Sequence, residues 1–178
     1  MTALVVTLIG PDRPGVVHAI ADKVAEHGAN WCDSVMANFA GQFAGIVHLQ
    51  VPQANSQALL AALRALESDN LHVQVALADD DRAGPPRRQL HLSLVGHDRP
   101  GIIHNIATRL AAQGVSIDTM KTFIASGAMS GEQMFHLDAQ LAAPMDVDCD
   151  VLREGLESLA NELMVDIAFG ATGNPPAQ

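Results

Sequence analysis

Tyrosine is absent from this 178-residue sequence, tryptophan occurs once, at Trp31, and cysteine twice, at Cys32 and Cys149. The two cysteines are far apart and show no C-x-x-C spacing, so neither a zinc ribbon nor a redox dithiol is expected; they read as free thiols serving packing and simple exposure. Basic residues are scarce too, 10 Lys+Arg against 20 Asp+Glu, a formal charge of −10. A nucleic-acid binder gains affinity by releasing counterions to clustered Lys and Arg, so that sign argues against direct nucleic-acid contact. Long apolar runs are also missing. The stretch from Ala3 to Ile9, broken by Thr7, is too short to cross a bilayer and lacks the basic leader of a signal peptide, so a cytoplasmic protein with no membrane association is expected.

Catalytic and metal motifs are lacking in the same way. No Ser or Cys stands in a recognisable nucleophile motif with a base, and the eight histidines show no H-E-x-x-H or paired i, i+4 pattern. Gly41-Gln-Phe-Ala-Gly45 and Gly127-Ala-Met-Ser-Gly131 lack the Gly-Lys-Ser/Thr ending of a phosphate loop. Asp146-Val-Asp-Cys-Asp150 with Glu157 has acids at calcium-loop spacing, but Val151 stands where that loop turns on Gly. The expectation is a protein that is not an enzyme, with no metal and no cofactor.

What the sequence does have is 48% hydrophobic residues and a mean hydropathy of +0.16, too apolar for disorder. It also repeats itself. An offset of 86 residues lays Gly10-Pro-Asp-Arg-Pro-Gly-Val-Val-His18 over Gly96-His-Asp-Arg-Pro-Gly-Ile-Ile-His104, and ten of the nineteen positions from Gly10 to Gly28 are identical. Two copies fit the length, with domains expected at 1–79 and 89–171, a linker at 80–88 rich in charge, Gly and Pro, and a disordered tail at 172–178.

Periodicity orders the elements within each copy. Leu4, Val6 and Leu8, and Leu90, Leu92 and Leu94, alternate as a strand with one face on a core. A helix follows, predicted to open at Pro14 or Pro100 and to stop at Gly28 or Gly114. Its buried stripe is predicted as Val17, Ile20, Ala21 and Val24, and Ile103, Ile106, Ala107 and Leu110. Two strands, about Asn30–Ala40 and Gln42–Val51, join tightly at Gly41; the matching turn, Ser126–Gly131, is longer. A second helix carries Leu59, Leu63 and Leu66, or Leu152, Leu156 and Leu159. The last strand carries Val73, Val75 and Leu77, or Val165, Ile167 and Phe169. The order βαββαβ predicts an α+β chain of two tandem ferredoxin-like domains, each an antiparallel sheet with both helices on one face.

The turn Gly10–Gly15 and its copy Gly96–Gly101 sit between a strand and a helix N-terminus, whose unpaired N–H groups favour a small carboxylate. Gly10 and Gly96 would allow close backbone approach. Asp12 and Asp98 either accept hydrogen bonds from an ammonium group, as a free α-amino acid would need, or cap the helix. Arg13 and Arg99 are either solvated or paired with a neighbouring acid, or else clamp a carboxylate; His18 and His104 either pack at the surface or make a cross-domain hydrogen bond, or else contact the ligand.

The βαββαβ order, the D-R-P-G turn opening the first helix, and the Gly-Ala-Asn-Trp or Gly-Val-Ser-Ile lead-in to the second strand resemble the ACT domain, a small regulatory module that binds amino acids. Two such domains, with Asp33-Ser34 and Gly41-Gln-Phe43 in the first, resemble the family of the glycine cleavage system repressor. The resemblance implies domains paired side by side in a homo-oligomer and an amino-acid effector, glycine or another small one. The site it implies is Gly10, Asp12, Pro14 and Gly15 with Ala29 and Asn30, and Gly96, Asp98, Pro100 and Gly101 with Val115 and Ser116. It further implies a non-catalytic, amino-acid-sensing regulator of transcription acting through a protein partner such as a DNA-binding regulator. A ligand-independent module holding a metabolic enzyme is the alternative.

Overall fold

The structure, a computed structural model, describes residues 1–78, 85–126 and 132–171. The chain divides into two compact units, Met1–Ala83 and Gly84–Gln178. In the first, strand β1 (Thr2–Pro11) leads to helix α1 (Val16–Glu26), strands β2 (Asn30–Phe39) and β3 (Gln42–Val51), helix α2 (Ser56–Arg64) and strand β4 (His72–Ala78). The second repeats the order with β5 (Arg87–His97), α3 (Ile102–Ala112), β6 (Ser116–Ser126), β7 (Gln133–Pro144), α4 (Cys149–Leu163) and β8 (Val165–Ala171). Both sheets are antiparallel, ordered β2-β3-β1-β4 and β6-β7-β5-β8, the ferredoxin-like arrangement the periodicity predicts. Most of the expected linker, the centre of the long turn and the tail lie outside the described residues.

Each unit has its own core, because period-2 strands and period-3.6 helices both aim apolar side chains at one interface. Leu4, Val6 and Leu8 of β1 and Val47, Leu49 and Val51 of β3 pack against Ile20 and Val24 of α1 and Leu59 and Leu63 of α2. In the second unit Leu90, Leu92, Leu94, Leu137 and Leu141 meet Ile106, Leu110, Leu152, Leu156 and Leu159. Each such side chain contributes roughly 1.5–3 kcal/mol when fully buried.

The first helices differ from expectation at their start. They begin at Val16 and Ile102, two residues after the prolines, since Gly15 and Gly101 occupy the N-cap position at φ 95° and 93°. That left-handed turn admits glycine far more readily than other residues. The buried stripe is therefore Val16, Ile20 and Val24, and Ile102, Ile106 and Leu110; Val17 is 42% exposed and Ile103 only partly buried. Leu77, predicted to be inside, is 64% exposed near the end of the edge strand β4. The predicted stops hold: Gly28 and Gly114 have φ 62° and 67° just past the helix ends. Ala40 and Gly41, at φ 50° and 79°, form a two-residue hairpin turn of the type I′ kind, which matches the twist of the strands it joins.

Candidate functional site

The twin turns have the same backbone. Asp12 N–H donates to Gly41 O at 3.0 Å and Asp98 N–H to Gln133 O at 3.1 Å, tying each turn to the neighbouring hairpin. The left-handed glycine then starts the helix, its carbonyl accepting from Ala19 N–H at 2.9 Å or Asn105 N–H at 3.0 Å. Among the described residues neither helix receives a side-chain cap, so of the two roles open to Asp12 and Asp98 capping is not the one they fill. With no acid in the first turn either, the first-turn N–H groups have no side-chain acceptor, and the partial positive charge of the helix end is left uncompensated. In the first unit the turn, Val16–His18 and Phe43 line a depression of ≈ 390 Å³.

Gly10 and Gly96 have a different reason for being glycine. A Cβ on Gly10 would stand 2.4 Å from Asn70 O, and one on Gly96 2.3 Å from Val165 Cγ1. The close approach they permit is that of the chain leading into the last strand of their own unit. Pro14 and Pro100 are exposed just ahead of the left-handed glycines.

The two turns differ in their aspartates. Asn38 Nδ2 donates to Asp12 Oδ2. Register makes Ile124 the counterpart of Asn38, since Asn38 faces Phe43 beside Gly10 and Ile124 faces Phe135 beside Gly96. Asp98 accordingly has no side-chain hydrogen bond among the described residues. Arg13 and Arg99 are exposed, and His18 Nε2 lies 3.3 Å from Asp22 Oδ2 on the helix surface.

The other predicted residues lie elsewhere. Asn30 pairs with Gln50, which pairs with Ala3, seven residues along β1 from Gly10. At about 3.3 Å per residue, roughly 23 Å of strand separates them. Ser116, through Ala142 and Gln89, is as far from Gly96. Each unit thus holds two half-sites at opposite ends of its sheet, a turn half and a strand-start half. Val115 is buried, whereas Asn30 and Ser116 are exposed.

The strand starts carry features that periodicity does not show. The edge strands β2 and β6 are bulged two residues in, where the register slips between Trp31 and Asp33 and between Ile117 and Thr119. Such bulges re-aim the side chains around them. Arg87 Nη1 donates to Ser116 Oγ, and Gln89 Nε2 to Asp118 Oδ2 at 3.4 Å. These contacts join strands more than twenty residues apart, so sequence spacing gives no sign of them.

Among the described residues no group of His, Cys, Asp and Glu is placed to hold a metal ion, and no helix is long and apolar enough to cross a membrane. Asp148 Oδ1 accepts from the N–H groups of Asp150 and Val151, so the acidic run caps α4. Cys32 and Cys149 are free and half-buried.

Comparison with known proteins agrees with this geometry. Residues 2–77 match the ACT domain family model. A UPF0237 protein of Methanopyrus kandleri is 40% identical over 55 residues, which are 31% of this chain and 61% of that protein. A solved structure of an unknown protein from Galdieria sulphuraria superposes with a TM-score of 0.80 at 25% identity, covering 97% of this chain and 99% of that one. A protein provisionally assigned as a glycine cleavage system transcriptional repressor superposes at 0.69 with 18% identity, covering 97% and 98%, and so shares the two-unit fold. The first unit thus matches the ACT domain family over residues 2–77, and the second repeats its βαββαβ order and its strand order.

Proposed function

We propose that this protein is a non-catalytic, amino-acid-sensing regulator, of the glycine cleavage system type, that acts through a protein partner such as a DNA-binding regulator. The observation that carries the proposal is the twin turn: two helix N-termini without side-chain caps, each beside an exposed aspartate. A free α-amino acid matches those poles, its carboxylate facing the N–H groups and its ammonium facing Asp12 or Asp98. A ligand that also touches a strand start needs a turn from one domain and a strand start from another, and pairing within a homo-oligomer would supply both. The charge of −10 agrees with action through a partner rather than on nucleic acid. Glycine has five heavy atoms, so its binding is bounded near 7–8 kcal/mol at about 1.5 kcal/mol per atom, and micromolar to millimolar affinity follows.

Calorimetric titration with the twenty amino acids tests the proposal. One small amino acid should bind, and Asp98→Ala should weaken it more than Asp12→Ala, whose carboxylate is already engaged by Asn38. If none binds to the protein, alone or with its partner, sensing fails. That same Asn38 bond favours the second reading, a ligand-independent module holding a metabolic enzyme, because it gives Asp12 a structural role.

A further inference from the structure

At the start of β5, far from the turn, lies a pocket of ≈ 330 Å³ lined by Pro85, Pro86, Arg87, Pro144, Met145 and Asp146. All six belong to the second unit, so the pocket needs no other domain. It carries one cationic and one anionic side chain on otherwise apolar walls.

The two charges are not neutralised by each other. Arg87 and Asp146 line the same small pocket without coming within the 4.0 Å of an ion pair. Arg87 spends one nitrogen on its neighbours: Nη1 donates to Ser116 Oγ and, at 3.2 Å, to Ala142 O. Those bonds fix the plane of the guanidinium, while Nε and Nη2 have no partner among the described residues. An arginine held in this way presents a planar fork, the geometry that receives a carboxylate through two parallel bonds. Asp146 likewise makes no side-chain bond among the described residues, which leaves its oxygens open to an ammonium donor.

The first unit has nothing equivalent. Arg88 pairs with Ala143 as Thr2 pairs with Val51, so the counterparts of Arg87, Pro144, Met145 and Asp146 are Met1, Pro52, Gln53 and Ala54. The repeat kept the proline and added a charge of each sign in the second copy only.

We infer that this pocket binds a free amino acid with an apolar side chain, its carboxylate on Arg87, its ammonium on Asp146 and its side chain against the prolines and Met145. A group of each charge on otherwise apolar walls is what an apolar zwitterion needs, and a pocket of ≈ 330 Å³ has room for a leucine-sized molecule. The pocket does not depend on the turns. Either site could be present without the other.

Titration of the full chain with L-leucine and L-methionine, followed by calorimetry and by the Met145 methyl resonance, tests the inference. Binding should shift that resonance, and 4-methylpentanoate and isopentylamine, which each lack one charge, should bind about tenfold more weakly. Arg87→Gln and Asp146→Asn should each weaken leucine by about tenfold or more, because each removes a charge-assisted hydrogen bond. Asp146→Asn removes no side-chain bond among the described residues, so it keeps the test sharp if Arg87→Gln perturbs β6. Asp12→Ala and Asp98→Ala should leave leucine binding unchanged, which separates this site from the turns. An unmoved Met145 resonance at tens of millimolar of either amino acid, or binding indifferent to both pocket variants, would overturn it.

Discussion

On the sheet face turned away from the helices, the first unit carries Val5, Ile9, Val35 and Ile46, and register places His91, Val95, Lys121 and Asp138 at the same positions in the second. Val35 and Ile46 are 68% and 47% exposed. In the second unit His91 Nε2 lies 2.7 Å from Asp138 Oδ2, and the Phe123 and His136 rings stack with centroids 4.5 Å apart. The inner faces scarcely differ: Leu4, Val6 and Leu8 became Leu90, Leu92 and Leu94. The contrast teaches that the fold is specified by the face under the helices. The outer face was free to diverge, one copy carrying apolar surface and the other a polar network. The turns follow the same logic, with a constant backbone and, among the described residues, a side-chain bond to the aspartate in the first copy only.

Five changes would break or sharpen this comparison. The largest effect should come from Leu92→Ala, which removes a fully buried side chain at a cost of about 2–5 kcal/mol. Amide exchange should show the second unit opening while the first keeps its protection, since each has a separate core; equal loss in both would mean that they fold as one.

Next in size are Gly10→Ala and Gly96→Ala, each costing roughly 1–3 kcal/mol by overpacking. The obstacle is a backbone oxygen, Asn70 O, in the first unit and the Val165 side chain in the second. Val165→Ala, which removes the nearest atom but keeps the Cβ 2.7 Å away, should therefore partly rescue Gly96→Ala in a double-mutant cycle, while Leu71→Ala, which leaves Asn70 O in place, should rescue Gly10→Ala less. Chemical denaturation of the four single and two double variants reads this out.

The repeat, the strand order and the helix stops were legible because periodicity and left-handed glycines are local signals. The helix starts were misread by two residues because the proline sits before a left-handed glycine, which moved the buried stripe from Val17 to Val16. The role of Gly10 depends on Asn70, sixty residues away in sequence. The two half-sites are far apart only because antiparallel register carries Asn30 back to the Ala3 end of β1. The contacts Asn38–Asp12 and Arg87–Ser116 are pairings across strands that no spacing announces.

Smaller effects follow. Ala40→Gly should stabilise the first unit by roughly 1 kcal/mol by relieving a left-handed alanine in the hairpin, seen as a raised melting temperature. Val35→Lys with Ile46→Asp gives the first unit two of the outer-face residues of the second. Such exposed changes should alter folding stability by no more than about 0.5 kcal/mol. Binding of a hydrophobic dye should fall, and unchanged dye binding would show that this face is not an apolar surface available to partners.

The smallest effect concerns pH. The Lys23 ammonium, 2.8 Å from Glu26, holds that exposed carboxyl below its ordinary value of 4.5. A lowered folded-state value stabilises above the unfolded one and is lost as pH falls through the folded one. The contribution should be complete above about pH 4.5 and vanish in more acidic solution. Lys23→Ala should remove that acid-side dependence from the first unit only, because Arg109 and Ala112 stand at the matching positions of the second.

The central claim, that the twin turns receive an amino acid, is tested most directly by an amide-resolved NMR titration of the whole protein with glycine and then each other amino acid. The account predicts saturable shifts at Val16–His18 or Ile102–His104, larger at the second turn, where Asp98 has no side-chain hydrogen bond among the described residues. Amides of both turns that stay still with every amino acid, with and without the partner, would contradict it.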